Sequence, residues 1–326
     1  MKKFKLLTVA VAAAIAVQVG AMCLFAGCKG GNGEEKPSLT FEIADVTAWI
    51  DYPASEISPV FNLEGEHTVT YTTNSDKIRI DGNKVTALAE GEAIVFAEAE
   101  GYETDFNVIC KTVNPGDSKY YMRGEGWDWA NKAISGRAKY DREGTDGKTT
   151  VFIGDSFNDI DFFSSFYSFY RDKDALCLGI GGTTSNTWEM FLDERFGYGA
   201  VYEGIQPKNV VVQLGNNNIY NDQSSYTEAV EDLQRCLTLM HAKMPDTKIY
   251  YFGVTPRIYI ESMATLTKRI NKAMGKFCEN KDWVTFLDCN DTVTPEDIRD
   301  NIHLYPASYQ IFVDALNEAG MVVEDK

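Results

Sequence analysis

At 326 residues the chain is longer than one hydrophobic core usually grows, so two domains are expected. Hydrophobic residues make up 44% and aromatic residues 12%, enough for packed cores, which excludes an intrinsically disordered chain. The formal net charge of -17 repels phosphate backbones and anionic headgroups, and no basic stripe offsets it, so nucleic acid is set aside as a partner.

Lys2, Lys3 and Lys5 precede an apolar run from Leu6 to Ala26, broken only by Thr8, Gln18 and Gly20, which reads as an export signal. Losing those three lysines with the segment takes the charge from -17 to -20. The run ends in Phe25-Ala26-Gly27-Cys28, which resembles the lipobox of bacterial lipoproteins, although Phe25 stands where leucine is usual. That resemblance implies a signal peptide over residues 1–27, lipidation at Cys28, and a protein anchored by its lipid to the outer side of the bacterial membrane. The alternative is an uncleaved anchor, since about 20 apolar residues can span a bilayer. Residues 28–37, rich in glycine and glutamate, read as a flexible tether. Beyond Cys28 five cysteines remain, at 110, 177, 236, 278 and 289, an odd number without a C-x-x-C pair. Neither a disulfide framework nor a zinc site is suggested, and buried free thiols are expected.

Residues 38–113 show short alternating segments separated by turn signals, the pattern of a small antiparallel β-sandwich. Val69 and Tyr71 share a face of one strand, and Ile78 and Ile80 a face of the next. Asp81-Gly82-Asn83 then turns the chain before Lys84 to Leu88, and Glu90-Gly91 turns it before Ala93 to Ala99. The stretch from Thr72 to Ala99 resembles the group 2 bacterial immunoglobulin-like domains of surface proteins, which implies a spacer or adhesion module. No residue set there is suited to chemistry.

Asn114-Pro115-Gly116-Asp117 marks a boundary, and residues 114–326 form the second expected domain. From Thr149 the pattern changes to strands alternating with helices. Apolar strand runs stand at Thr150 to Ile153, Ala175 to Leu178, Val210 to Leu214, Ile249 to Phe252 and Val284 to Leu287. Between and after them lie three helical stripes: Val230, Leu233, Leu237, Met240 and Met244; Met263, Leu266, Ile270, Ala273 and Phe277; and Tyr309, Phe312, Val313 and Leu316. Strands separated by helices of this length cannot pair as hairpins. A parallel five-stranded sheet covered by helices, α/β and flavodoxin-like, is therefore expected, with ligands at the carboxyl ends of its strands.

Chemistry-bearing residues gather at those ends. Gly154-Asp155-Ser156 follows the first strand and precedes a helix-like segment, Asp161 to Phe169, so Ser156 would sit exposed beside free backbone amides and a positive helix end. The triplet alone is a weak signal, since Ser156 could serve only as a helix cap. A serine nucleophile needs a base, and the base a carboxylate; Asp300 and His303 supply both within one loop after the fifth strand. On spacing alone a capping or surface role for His303 is as good a reading. His67 belongs to the sandwich, and His241 follows Met240 of a helical stripe and is expected on a solvated face. Gly179-Ile180-Gly181-Gly182-Thr183-Thr184 after the second strand and Gly215-Asn216-Asn217-Asn218 after the third add glycine amides and a side-chain amide, the donor types an oxyanion needs. The glycine run is no dinucleotide fingerprint, because Thr184 occupies the last glycine position.

Together these blocks resemble the SGNH/GDSL hydrolase family, in the style of its platelet-activating-factor acetylhydrolase-like branch, over about Thr149 to Ala319. The resemblance implies a serine esterase with that family's fold and no cofactor or metal. It implies Ser156 as nucleophile, His303 as base, Asp300 as its orienter, and an oxyanion hole of the Ser156 backbone, Gly182 and Asn217. Asn218 stands where aspartate is commoner, and Gly181 is an alternative to Gly182 as donor. Tyr120, Tyr121, Trp127 and Trp129, and the cluster from Phe162 to Tyr170, are candidates for sugar stacking or an acyl pocket, with core packing the competing reading. An acetyl ester on an extracellular carbohydrate is the expected substrate, or another small ester. The alternatives are a non-catalytic glycan-binding or adhesive lipoprotein on the same scaffold, and a lipid-ester hydrolase.

Overall fold

The computed structural model describes residues 38–117, 126–144, 147, 149–159, 166–196, 201–220, 223–256 and 260–326. The signal segment, Cys28 and the tether lie outside the described residues. So do Tyr120, Tyr121, Phe162 and Phe163, and the side chain of Trp127. Among the described residues no helix is long and apolar enough to cross a membrane. Leu39 to Lys326 form one compact unit.

The amino-terminal part is all-β: β1 Phe41–Ile43, β2 Val46–Trp49, β3 Ser55–Glu56, β4 Pro59–Phe61, β5 Thr70–Thr72, β6 Ile78–Asp81, β7 Lys84–Ala87, β8 Gly91–Ala99 and β9 Tyr102–Lys111. The strands order as β2-β9-β8-β5 and β3-β7-β6, with β1 and β4 as a separate pair. Alternation in β8 sends Ala93, Val95, Ala97 and Ala99 inward and leaves Glu92, Ile94, Phe96 and Glu98 outside. Val85, Phe106 and Val108 complete the same core. One pairing departs from the antiparallel expectation: β2 runs parallel to β9, with Val46 opposite Val108. The rest of the region separates these two strands, and that length of chain permits the crossover a parallel pair requires.

The remainder is a three-layer α/β structure. Its strands are β10 Thr150–Gly154, β11 Ala175–Cys177, β12 Asn209–Gln213, β13 Lys248–Phe252 and β14 Val284–Leu287. Its helices are α1 Gly126–Glu143, α2 Ser185–Leu192, α3 Asn216–Tyr220, α4 Tyr226–Lys243, α5 Glu261–Cys278 and α6 Gln310–Glu318. All five strands are parallel, in the order β11-β10-β12-β13-β14. Numbered from the first strand of this sheet the order is 2-1-3-4-5, the flavodoxin-like arrangement, whose crevice opens where the first strand's neighbours diverge, between β10 and β12. Both faces of the strands are buried, so they read as continuous apolar runs instead of alternating ones. Val151, Ile153, Val210, Val212, Ile249 and Tyr251 join one core; Phe152, Val211, Tyr250 and Phe252 join the other. Each fully buried side chain of this kind stabilises by roughly 1.5–3 kcal/mol, an upper estimate against a compact unfolded chain.

Several local expectations change. Residues 161–165 of the expected helix after Ser156 are outside the described residues, and Tyr167–Tyr170 form a 3-10 turn. Phe166, Tyr167 and Tyr170 are core residues, while Phe169 is exposed. His241 is half-buried and lies flat on Trp283 with ring centroids 4.5 Å apart, a packing partner that helical spacing could not show. Cys110, Cys177, Cys236 and Cys278 are buried thiols outside any disulfide, and Cys289 is a partly buried one.

Candidate active site

Ser156 stands at the carboxyl end of β10, where the chain leaves the sheet in a turn fixed by its own hydrogen bonds. The Asn158 amide donates to Asp155 O at 3.0 Å, and the Phe157 amide to Asp155 Oδ1 at 3.2 Å. Gly154 has φ 132°, and a Cβ there would run into the Gln213 carbonyl on β12, so glycine is required before the serine.

His303 comes from the far end of the chain. Its loop folds back as a small bridge between Ile298 and Leu304, both buried, with the Arg299 amide donating to His303 O at 2.7 Å. Asn301 takes a left-handed φ of 74° at the turn, a conformation asparagine tolerates better than most residues. The loop sets the imidazole under the Phe157 ring, at 5.3 Å between centroids, and leaves it 7% exposed.

Ser156 Oγ lies 2.7 Å from His303 Nε2, and His303 Nδ1 lies 2.9 and 3.0 Å from the two oxygens of Asp300. A carboxylate can only accept, so Nδ1 carries the hydrogen and Nε2 is left to accept from the serine hydroxyl. Asp300 also accepts the His303 backbone amide at 2.9 Å. Partial burial pushes its carboxyl up. The His303 amide, the imidazole beside it and the Ile302 amide outweigh that effect and hold it below the ordinary aspartate value.

The glycine and asparagine loops meet beside this pair. Gly154 O accepts from Ile180 N at 2.9 Å, Thr183 Oγ1 at 3.0 Å and Trp188 Nε1 at 3.2 Å, which ties the glycine loop and α2 to the end of β10. Gly182 has φ 83°, so this turn needs a residue without a side chain. The amide of Gly181 is committed to Asp159 Oδ2 at 2.6 Å, and its carbonyl accepts from Trp129 Nε1 at 3.1 Å. Lys132 pairs with the same Asp159 oxygen at 3.0 Å. On the other loop Asn217 Nδ2 donates to Thr183 O at 2.9 Å. Asn218 accepts the Ser185 amide at 3.2 Å and donates to Ser185 Oγ at 2.7 Å. An aspartate at 218 could not donate, so the Ser185 hydroxyl would have to turn and donate to it instead.

Ser156, His303, Asp300, Gly182 and Asn217 thus all fall on one edge of the sheet. Asp159, Lys132 and the bracing role of Trp129 are features the sequence reading passed over. Asp159 stands three residues after the serine, but nothing in sequence ties it to a glycine more than twenty positions on. Among the described residues no cluster of His, Cys, Asp or Glu could hold a metal ion.

Residues 152–311 match the model of the GDSL-like lipase/acylhydrolase family. No curated relative matches the chain. Among solved structures, a candidate acylhydrolase from Bacteroides fragilis is 18% identical with a TM-score of 0.45, covering 59% of this chain and 96% of its own. The catalytic domain of peptidoglycan O-acetyltransferase A from Streptococcus pneumoniae is 17% identical at TM-score 0.41, covering 56% of this chain and 100% of its own. A variant of the acetyl-xylooligosaccharide esterase Axe2 from Geobacillus is 15% identical at TM-score 0.41, covering 56% and 99%.

Proposed function

We propose that the chain is an ester hydrolase with a Ser-His-Asp mechanism acting on small acyl esters, a reading supported by the match of residues 152–311 to the GDSL-like lipase/acylhydrolase family model. The observation that carries it is the line of contacts from Ser156 through His303 to Asp300, at 2.7 and 2.9 Å. Ser156 Oγ attacks the ester carbonyl carbon and its proton passes to His303 Nε2. Collapse of the tetrahedral intermediate breaks the bond to the alcohol, which takes that proton and leaves. Water then attacks the acyl-serine, gives its proton to Nε2, and Ser156 recovers it as the carboxylic acid departs. Asp300 keeps Nδ1 protonated and stabilises the imidazolium formed at each step.

The oxyanion is held by the Ser156 and Gly182 amides and by Asn217. Engagement of the Gly181 amide by Asp159 supports Gly182 over Gly181 as the glycine donor. The bond from Asn217 Nδ2 to Thr183 O fixes that amide's orientation, and an amide nitrogen carries a second hydrogen for the substrate. The substrate class we assign is an acetyl ester on an extracellular carbohydrate. An amino-terminal export signal and a Cys28 lipid anchor would deliver the enzyme to surfaces where glycans are the first acylated polymers it meets.

Hydrolysis of a series of p-nitrophenyl esters tests the reading. The wild type turns over the acetate faster than esters of long acyl chains, and Ser156→Ala reduces turnover by about 10³-fold or more. Equal turnover by wild type and Ser156→Ala overturns the mechanism. Preference for long chains overturns the substrate class.

A further inference from the structure

The amino-terminal β-region reaches into the hydrolase core directly behind the oxyanion loops. Trp49 ends β2 and Tyr52 follows it; both are buried and belong to the same core cluster as Trp188 and Leu233. The Tyr52 hydroxyl donates to Glu189 Oε2 at 2.5 Å. Glu189 lies on α2, wholly buried, and accepts Arg235 of α4 through both oxygens, at 2.9 and 3.0 Å. Arg235 is buried in turn, pairs with Asp232 at 2.8 Å, and has its guanidinium over the rings of Trp49 and Tyr52, at 5.8 and 5.7 Å. At the other end of α2, Ser185 is bonded twice to Asn218, beside Asn217, and Thr183 just ahead of it receives the Asn217 amide. One eight-residue helix therefore carries the β-region's contact on one turn and the oxyanion loops on another. A fully buried helix of two turns, packed at interior density, passes a shift at Glu189 on to Ser185 because such packing is barely compressible.

We infer that Tyr52, Glu189 and Arg235 are positioning residues for the esterase reaction: through α2 the β-region holds the oxyanion donors in register, so it is a working part of the hydrolase and not a spacer. The inference rests on the proposed serine mechanism. Small displacements of donors lower the rate of the chemical step while leaving ground-state binding nearly intact, because the oxyanion exists only beyond the ground state.

A double-mutant cycle on the full chain tests it, with Tyr52→Phe and Asn217→Ala assayed on p-nitrophenyl acetate below the unfolding range of every variant. Tyr52→Phe keeps the ring and removes one hydrogen bond, so it folds where Glu189→Ala, which strands a buried guanidinium, would not. The expected result is a fall in kcat of about three- to thirtyfold with KM nearly unchanged. In the Asn217→Ala background, where the principal donor is already gone, the same substitution should cost much less. Tyr52→Leu should lose more kcat than Tyr52→Phe. Unchanged kcat in Tyr52→Phe, a loss of thermal stability alone, or effects that multiply independently with Asn217→Ala each overturn the inference. A wild type that hydrolyses no ester and is not acylated at Ser156 overturns the proposed mechanism itself, and the inference with it. A wild type active at Ser156 but indifferent to Tyr52 overturns the inference alone.

Discussion

Each residue of the proposed triad sits at a position with few substitutes. His303 can accept from Ser156 only in the tautomer that Asp300 enforces, and Asp300 reaches Nδ1 only because the Asn301 turn folds the loop back. The carboxyl of Asp300 is held below its ordinary value, so it stabilises the fold above the unfolded aspartate pKa and that contribution is lost as pH falls through the folded value. Wild type and Asp300→Asn should therefore differ in Tm near neutral pH, and the difference should shrink as pH is lowered below about 4. A Tm difference that widens in acid would mean the carboxylate is not the stabilising species. At this scale much was legible. The Gly-Asp-Ser triplet and the Asp-x-x-His pair were weak signals singly, and they gained weight only beside the glycine and asparagine blocks that follow the neighbouring strands. Asp159 and Lys132 were not legible, because an ordinary surface ion pair has the same sequence appearance as one that grips a glycine amide.

At the scale of elements, the site depends on three strand ends being stitched together. Gly154 is the seam: its carbonyl collects three donors from the β11 loop and α2, and its own backbone lies too close to Gln213 for any side chain. Gly154→Ala should destabilise the protein by about 3 kcal/mol or more through left-handed strain and steric overlap, read as a lower urea midpoint. An unchanged midpoint would show that β10 and β12 can move apart. The five strands and the helices α4, α5 and α6 were legible because two-sided burial and a 3.6-residue stripe leave strong patterns, whereas α1 was not read from the sequence. The segment around α2 was not. Its eight residues are buried all round, so they carry no stripe, and Glu189 inside Trp188-Glu189-Met190-Phe191-Leu192 was the one available sign that a charge would be buried and paired. The parallel β2–β9 pair was likewise hidden, because pairing direction is a property of the return path and not of either strand.

At the scale of the whole molecule, the compact unit from Leu39 to Lys326 joins an all-β region to a parallel α/β sheet through shared core and buried charge. Burial pushes the Glu189 carboxyl up from its ordinary value, against the pull of Arg235, while burial that would lower Arg235 is outweighed by Glu189 together with Asp232 and Tyr52. Such a pair is costly to break and contributes specificity of docking, which a featureless apolar contact would not. Composition and turn signals made the two kinds of structure legible, but not their union, because Tyr52 and Arg235 stand far apart in sequence and neither belongs to a motif. The proposed function depends on one event, the acylation of Ser156 with His303 as its base. Intact-protein and peptide mass analysis after reaction with an alkyl fluorophosphonate tests this most directly. The account predicts one adduct per chain, on Ser156, forming at least about a hundredfold more slowly in His303→Ala. An adduct on another residue, or labelling of Ser156 that proceeds equally well without His303, would contradict it.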